Sequence, residues 1–174
     1  KGEVVIKPEF DEAEDFNESI ARIRKGKKYG YINSSGQLII NPQYDTADSF
    51  HENYAQVCVE DKCSFIDKTG KITIKLNYGL VFNFSEGLAA VSSWEDNHRK
   101  WGYINKQGLL VIKQKYDGVQ SFHEGLAAVK IIDKWGFIDK TGKLVIEPLF
   151  DDSSLYTLDE GLIFENGKVS GELN

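Results

Sequence analysis

The sequence predicts an all-β protein built from tandem hairpin repeats, and three observations carry that prediction. Glycines recur as Gly2, Gly36, Gly70, Gly108 and Gly142, spaced 34, 34, 38 and 34 residues apart. Each is followed by a short aliphatic run, the mark of a strand leaving a tight turn. Glycine is abundant (16), proline scarce (3) and methionine absent, which suits many turns between strands better than long helices. The fold class expected is tandem three-stranded β-hairpin repeats of about 34 residues, stacked as an open or superhelical array. A small closed barrel or propeller is the alternative, although a propeller blade usually takes ~40–50 residues and four strands.

Each unit reads in the same order. The aliphatic runs are Val4-Val5-Ile6, Leu38-Ile39-Ile40, Ile72-Thr73-Ile74, Leu110-Val111-Ile112 and Leu144-Val145-Ile146. The middle position tolerates Thr73 while the first and third are always large. Alternation then predicts that Leu110 and Ile112 face the core together. An aromatic follows (Phe10, Tyr44, Tyr78, Tyr116, Phe150), then Asp11, Asp45, Gly79, Asp117 or Asp151, and a second aromatic at Phe16, Phe50, Phe84, Phe122 or Tyr156. A short strand comes next, clearest in Glu86-Gly87-Leu88-Ala89-Ala90-Val91 and Glu124-Gly125-Leu126-Ala127-Ala128-Val129. Small residues at Ala21, Ala55, Ala89 and Ala127 mark places where neighbouring backbones approach.

The unit closes on Tyr29-Gly30-Tyr31-Ile32-Asn33, Cys63-Ser64-Phe65-Ile66-Asp67, Trp101-Gly102-Tyr103-Ile104-Asn105 or Trp135-Gly136-Phe137-Ile138-Asp139, with Trp101 and Trp135 expected in the core. The next turn, such as Asp139-Lys140-Thr141-Gly142, places glycine at the left-handed position of a type I turn with a G1 bulge. Strands are expected near 29–33, 36–40, 55–59, 63–67, 101–105, 110–112, 126–131, 135–139 and 144–146. The units run over about 2–35, 36–69, 70–107, 108–141 and 142–174 as a single array. The last reads as a capping unit that ends on the hairpin Leu162–Val169, whose Asn166-Gly167 is a type I′ signal.

The run Lys134-Trp135-Gly136-Phe137-Ile138-Asp139-Lys140-Thr141-Gly142-Lys143-Leu144-Val145-Ile146-Glu147-Pro148 resembles the WG-type (KWG) β repeat of bacterial proteins. The resemblance extends over five units, with Cys63-Ser64 standing for Trp-Gly in the second and Tyr29 for Trp in the first. It implies a β-rich repeat with an interaction role and no catalytic residue to carry over.

Composition excludes several classes. Hydrophobic residues at 41% and charged ones at 28% exclude intrinsic disorder. A net charge of −6 argues against nucleic acid, which wants a basic face. Apolar runs are too short for a spanning helix, so no membrane insertion is expected.

Catalytic residues, metal ligands and cofactors are expected to be none. His51 and His123 share a repeat position beside Glu52 and Glu124, but the other units supply no further ligands there, and a solvated turn is the better reading. The repeated Asp11, Asp45, Asp117 and Asp151 form no acid–base pair, because a catalytic pair needs unequal environments. They read instead as Asx turns, each bonding its own backbone two residues on. The Glu that precedes each strand reads as structural or solvated.

Two departures from the repeat carry more. Cys58 and Cys63 lie on opposite arms of a hairpin with a Glu60-Asp61 turn, so they face each other across the strands. That geometry fits a cross-strand disulfide, while two free thiols in a reducing cytoplasm is the other reading. A closed bridge favours an oxidising compartment, hence cell surface or secreted over cytoplasmic. The second departure is a four-residue insertion before Trp101. It pairs Trp94 with Arg99 and Glu95 with His98 across an Asp96-Asn97 turn, making a protruding hairpin rich in interface residue types. The alternative is a tolerated surface loop. Trp94, Glu95, His98 and Arg99 are the candidate binding residues.

The function expected is a non-catalytic scaffold for a protein partner. The alternative is a carbohydrate or cell-wall module in which Tyr31, Phe65, Tyr103 and Phe137 serve as stacking platforms. Their exposure decides between the two.

Overall fold

A computed structural model describes residues 9–151 and the strand residues 163–165 and 168–170. Expectations for Val4-Val5-Ile6, Tyr156 and the Asn166-Gly167 turn fall outside those residues. The described residues form strands and turns with no helix, and all strand pairing is antiparallel.

The chain divides into two compact units, Lys1–Asn77 and Tyr78–Asn174. In the first, β1 (Glu12–Ala13), β2 (Ile20–Lys25), β3 (Lys28–Asn33) and β4 (Leu38–Tyr44) form one sheet in sequential order. A second sheet follows with β5 (Thr46–Ala47), β6 (Ala55–Val59), β7 (Lys62–Ile66) and β8 (Ile72–Lys75). The second unit holds β9 (Leu88–Glu95), β10 (His98–Asn105) and β11 (Leu110–Tyr116), then the sheet of β12 (Gly118–Val119), β13 (Leu126–Ile131), β14 (Lys134–Asp139) and β15 (Leu144–Phe150). Beyond these, β16 (Ile163–Glu165) pairs with β17 (Lys168–Ser170).

Each described sheet is a meander with two open edges, so none closes into a barrel. The three strands expected per repeat are joined by a fourth of two residues, β1, β5 or β12. In the third repeat a single bridge between Val81 and Val91 takes its place.

Glycine sets the turns. Gly36, Gly70, Gly108 and Gly142 all have φ between 76° and 83°, and each amide donates to the carbonyl three residues back. The Asx role belongs here rather than to Asp45 and its repeats. Asn33, Asp67, Asn105 and Asp139 each accept, through Oδ1, the amides two and four residues on.

Within each unit the core lies between its two sheets. In the first, Tyr31 and Ile40 pack with Phe50, Val57 and Ile66; in the second, Tyr103 and Ile112 pack with Phe122, Val129 and Ile138. Tyr31 meets Phe50 edge-on at 4.9 Å and gives its hydroxyl to the Asp48 carbonyl at 2.8 Å. Tyr103 repeats both contacts with Phe122 (4.9 Å) and Gln120 (2.7 Å). Ala21, Ala55, Ala89 and Ala127 are fully buried. A repeat therefore completes its core with its neighbour's aromatic.

The aliphatic runs do not pack as simple alternation predicts. Ile112 is 3% exposed but Leu110 is 42% exposed, and the same split separates Ile40 from Leu38 and Ile74 from Ile72. The cause is a bulge. Tyr103 opposes Ile112 while Ile104 opposes Leu110, so the last strand advances two residues where its partner advances one. Since residues 103 and 104 point to opposite faces, Leu110 is turned away from Ile112. Trp101 is buried as expected, whereas Trp135 is only half-buried.

A larger bulge explains the Trp-Gly pair. Trp101 opposes Tyr116 and Tyr103 opposes Ile112, four residues against two. The backbone of β11 thereby folds over Gly102, where a Cβ would stand 2.3 Å from the Ile112 carbonyl oxygen. Gly30 and Gly136 are covered in the same way, at 2.6 and 2.5 Å. Ser64 occupies that place in the second repeat, and the bulge is gone: Phe65 opposes Ile74 and Ser64 opposes Lys75 in plain register.

Candidate functional site

Two kinds of polar linkage recur. In the first, an aspartate reaches a hairpin turn rather than its own backbone. Asp11 accepts the Gly26 amide (2.6 Å), Asp45 the Glu60 amide (2.8 Å) and Asp117 the Ile132 amide (2.8 Å). The second carboxylate oxygen takes a lysine 17 residues upstream, Lys28 for Asp45 (2.7 Å) and Lys100 for Asp117 (2.6 Å), with Lys134 and Asp151 paired likewise. The lysine hydrogen bonds and then the turn amides hold Asp45 and Asp117 below the usual aspartate range. These carboxylates are occupied structurally.

In the second, a glutamate sits in left-handed backbone. Glu18, Glu52, Glu86 and Glu124 all have φ of 50–51°, the first central residue of a two-residue hairpin turn. Such a conformation costs a side-chain-bearing residue about 1–2 kcal/mol. Glu18 offsets the cost by accepting the Asn53 amide at 2.9 Å and pairing with Lys68 at 3.0 Å. Glu86 does the same with the Gly125 amide and Lys140, both at 2.9 Å. Burial pushes the Glu18 carboxyl up, yet bonds from Lys68 and the Asn53 amide leave it lowered; the Lys140 bond lowers Glu86. Reading from sequence saw a structural or solvated Glu but not this clasp between successive repeats.

His51 and His123 each open one of these turns and exchange backbone hydrogen bonds with the residue three on, Tyr54 and Leu126. Among the described residues no group of three His, Cys, Asp or Glu converges as a metal site.

Tyr31, Phe65, Tyr103 and Phe137 are 0–4% exposed. Tyr31 and Tyr103 lie in the cores between sheets, and Phe137 packs with Ala128 and Ile146 of its own sheet. Buried to this degree, the four rings offer no exposed face for the stacking that the carbohydrate alternative assigned to them.

In the second repeat Val59 pairs with Lys62 and Cys58 with Cys63, the Cα atoms 4.1 Å apart and the sulfurs bonded at 2.04 Å. In the third, β9 and β10 run to the tip with Trp94 opposite Arg99 and Glu95 opposite His98. The turn Asp96-Asn97 has φ of 47° and 62°, the type I′ pattern. Trp94 is 65% exposed, and the Arg99 guanidinium lies 4.9 Å from its ring centroid. Arg99 Nε is buried without a hydrogen-bond partner, while His98 Nδ1 lies 2.8 Å from the Asp96 carbonyl oxygen.

The structure brings one further residue to this region. Ile132, at the β13–β14 tip, is 77% exposed with φ of 59°, a conformation that β-branched residues strongly disfavour. Its amide is held by Asp117, which also holds Lys100, the neighbour of Arg99. A lone Ile-Ile pair at a turn gave no sequence signal, because two-residue turns ordinarily take Gly or Asn there.

Comparison with curated proteins finds no match. The model of the WG containing repeat matches residues 1–29, 29–63, 64–93, 101–135 and 135–164. The residues skipped between the third and fourth matches, 94–100, are the tip of the β9–β10 hairpin that carries Trp94 and Arg99. Five matches that together span most of the chain, on a fold whose Trp-Gly positions are set by one recurrent bulge, place this chain in the WG-repeat family.

Proposed function

We propose that the chain is a non-catalytic binding scaffold whose partner is a protein, engaged through the β9–β10 hairpin. The observation that carries this reading is Trp94, 65% exposed and stacked with Arg99 on a tip that lies outside the repeat pattern. Tryptophan and arginine dominate interface hot spots, and a stacked pair on a short type I′ hairpin is already ordered before binding. Glu95 and His98 supply polar groups beside it. Catalysis finds no support in the repeated carboxylates, since they are engaged by lysines and turn amides. The net charge of −6 favours a protein over nucleic acid. The cross-strand Cys58–Cys63 bridge favours an oxidising compartment, at the cell surface or in the secreted space.

Affinity capture with the wild-type chain and with Trp94→Ala/Arg99→Ala tests the reading. A protein retained by the wild type and lost with the variant supports it. Equal capture by both removes the hairpin as the binding element.

A further inference from the structure

We propose that the second repeat carries a groove for a small organic carboxylate with an apolar body, seated over Ser64 with Lys62 as its counter-charge. The site is separate from the β9–β10 hairpin and does not depend on the reading given to it.

The groove exists because one bulge is missing. Over Gly30, Gly102 and Gly136 the last strand of the sheet folds across and covers the glycine face. Ser64 has a side chain there, β8 lacks the larger bulge and pairs in plain register at Ser64 and Phe65, and Leu76 bonds directly back to the Cys63 carbonyl at 3.1 Å. Ser64 itself is only 8% exposed, and β8 runs beside it instead of folding across β7 as the bulged strands do over their glycines. What remains is a hollow of about 500 Å³, within the ~300–1,000 Å³ typical of small-molecule sites. Its apolar wall is Tyr44, Val57, Val59, Ile72 and Leu76. Val59 and Ile72 are 44% and 51% exposed, so apolar surface faces water where a ligand would cover it.

The rim chooses the charge. Lys28 and Lys100 are held by aspartates at 2.7 and 2.6 Å, and Lys134 is held likewise. The aspartate position that would serve Lys62 is Gly79, which has no carboxylate to offer. Lys62 has no ion pair among the described residues, and it stands on the rim beside a second lysine, Lys75. Glu60 is the one acid lining the groove, which leaves an excess positive charge. A carboxylate bound at Lys62 would take the role that aspartate plays in the sister repeats, while its apolar body displaced water from the wall.

The test uses the full chain with indole-3-acetate as probe and indole-3-acetamide as its neutral isostere, followed by NMR titration. The acid is expected to bind roughly tenfold tighter than the amide, the increment of one charge-assisted hydrogen bond. Lys62→Gln should abolish that preference, and Lys27→Gln, at an exposed turn of the first repeat, should not. Val59→Glu, at a half-exposed position, should remove binding of the acid with no change in melting temperature. Equal affinity for acid and amide, a preference that survives Lys62→Gln, or no binding of either probe at millimolar concentration overturns the proposal.

Discussion

Gly102→Ala is the sharpest test of how the repeat folds. The new Cβ would stand 2.3 Å from the Ile112 carbonyl oxygen and 2.7 Å from the Gln114 amide nitrogen, both backbone atoms that cannot swing aside. Relief requires β11 to abandon the bulge and take the plain register seen where Ser64 stands in β7. Tyr116, now 2% exposed opposite Trp101, would then lose its place in the core. A buried aromatic covers about 150–250 Å², worth roughly 4–6 kcal/mol at ~25 cal/mol per Å². If half of that is lost, the cost is about 2–3 kcal/mol. For a chain of this size that is a fall of roughly 4–12 °C in melting temperature. Urea unfolding followed by tryptophan fluorescence measures it. Ser64→Gly is the matched control and should change stability by under ~1 kcal/mol. A Gly102→Ala protein that melts within a degree or two of wild type would falsify the bulge argument.

Four further outcomes are expected. Ile112→Ala should cost about 2–4 kcal/mol, whereas Leu110→Ala, 42% exposed, should cost under ~1.5, and equal losses in urea melts would contradict the register flip. Trp94→Ala should leave the melting temperature nearly unchanged, since the ring lies outside the core; a large fall would make it a packing residue. Opening the Cys58–Cys63 bridge with reductant should cost about 2 kcal/mol for so short a loop, and a thiol assay that finds both cysteines free in the untreated protein refutes the bridge. Glu86, Asp45, Asp67, Asp117 and Asp139 all have depressed folded-state pKa values, so their stabilisation is present above the unfolded carboxylate range and lost as pH falls through the folded values. Unfolding temperature should therefore hold from about pH 8 to 5 and drop below about pH 4; a rise on acidification would mean the clasps do not form.

The fold was legible because its signals are local and repeated. A glycine at the left-handed turn position, an aliphatic run and the Trp-Gly position locate β3, β7 and β14 within one residue and the C-terminal end of β10, which starts three residues earlier than expected. Alternation misplaced Leu110 and Leu38, since a bulge shows itself only when two strands are laid side by side. The aspartates were misread for a related reason. Asp117 bonds Ile132, fifteen residues away, whereas an Asx turn is the only partner that a sequence window displays. The Trp94–Arg99 pairing was legible because an even insertion preserves hairpin register. The groove beside Ser64 was not, because it depends on the register of β8 against β7, which shows itself only when the two strands are paired.

Repetition itself divides structure from function in this chain. An interaction that recurs from repeat to repeat, such as the lysine–aspartate pair at Lys28, Lys100 and Lys134 or the left-handed glutamate, has the same environment each time and so answers to stacking. Recognition of one ligand or partner needs an environment that occurs once. The Trp94 tip and the hollow over Ser64 are such places, and each arises by a small edit of the unit: four added residues in one, a serine for a glycine in the other. The second edit has a cost the first lacks. Losing the glycine forfeits the bulge and the aromatic pairing that goes with it, and Cys63 stands where the sister repeats have Tyr29, Trp101 and Trp135. The covalent bond from Cys63 to Cys58 holds the hairpin where ring packing no longer does. Bridge and groove therefore lie together in one departure from the repeat, made by Cys58, Cys63 and Ser64, with the covalent bond on the same hairpin that lost the bulge.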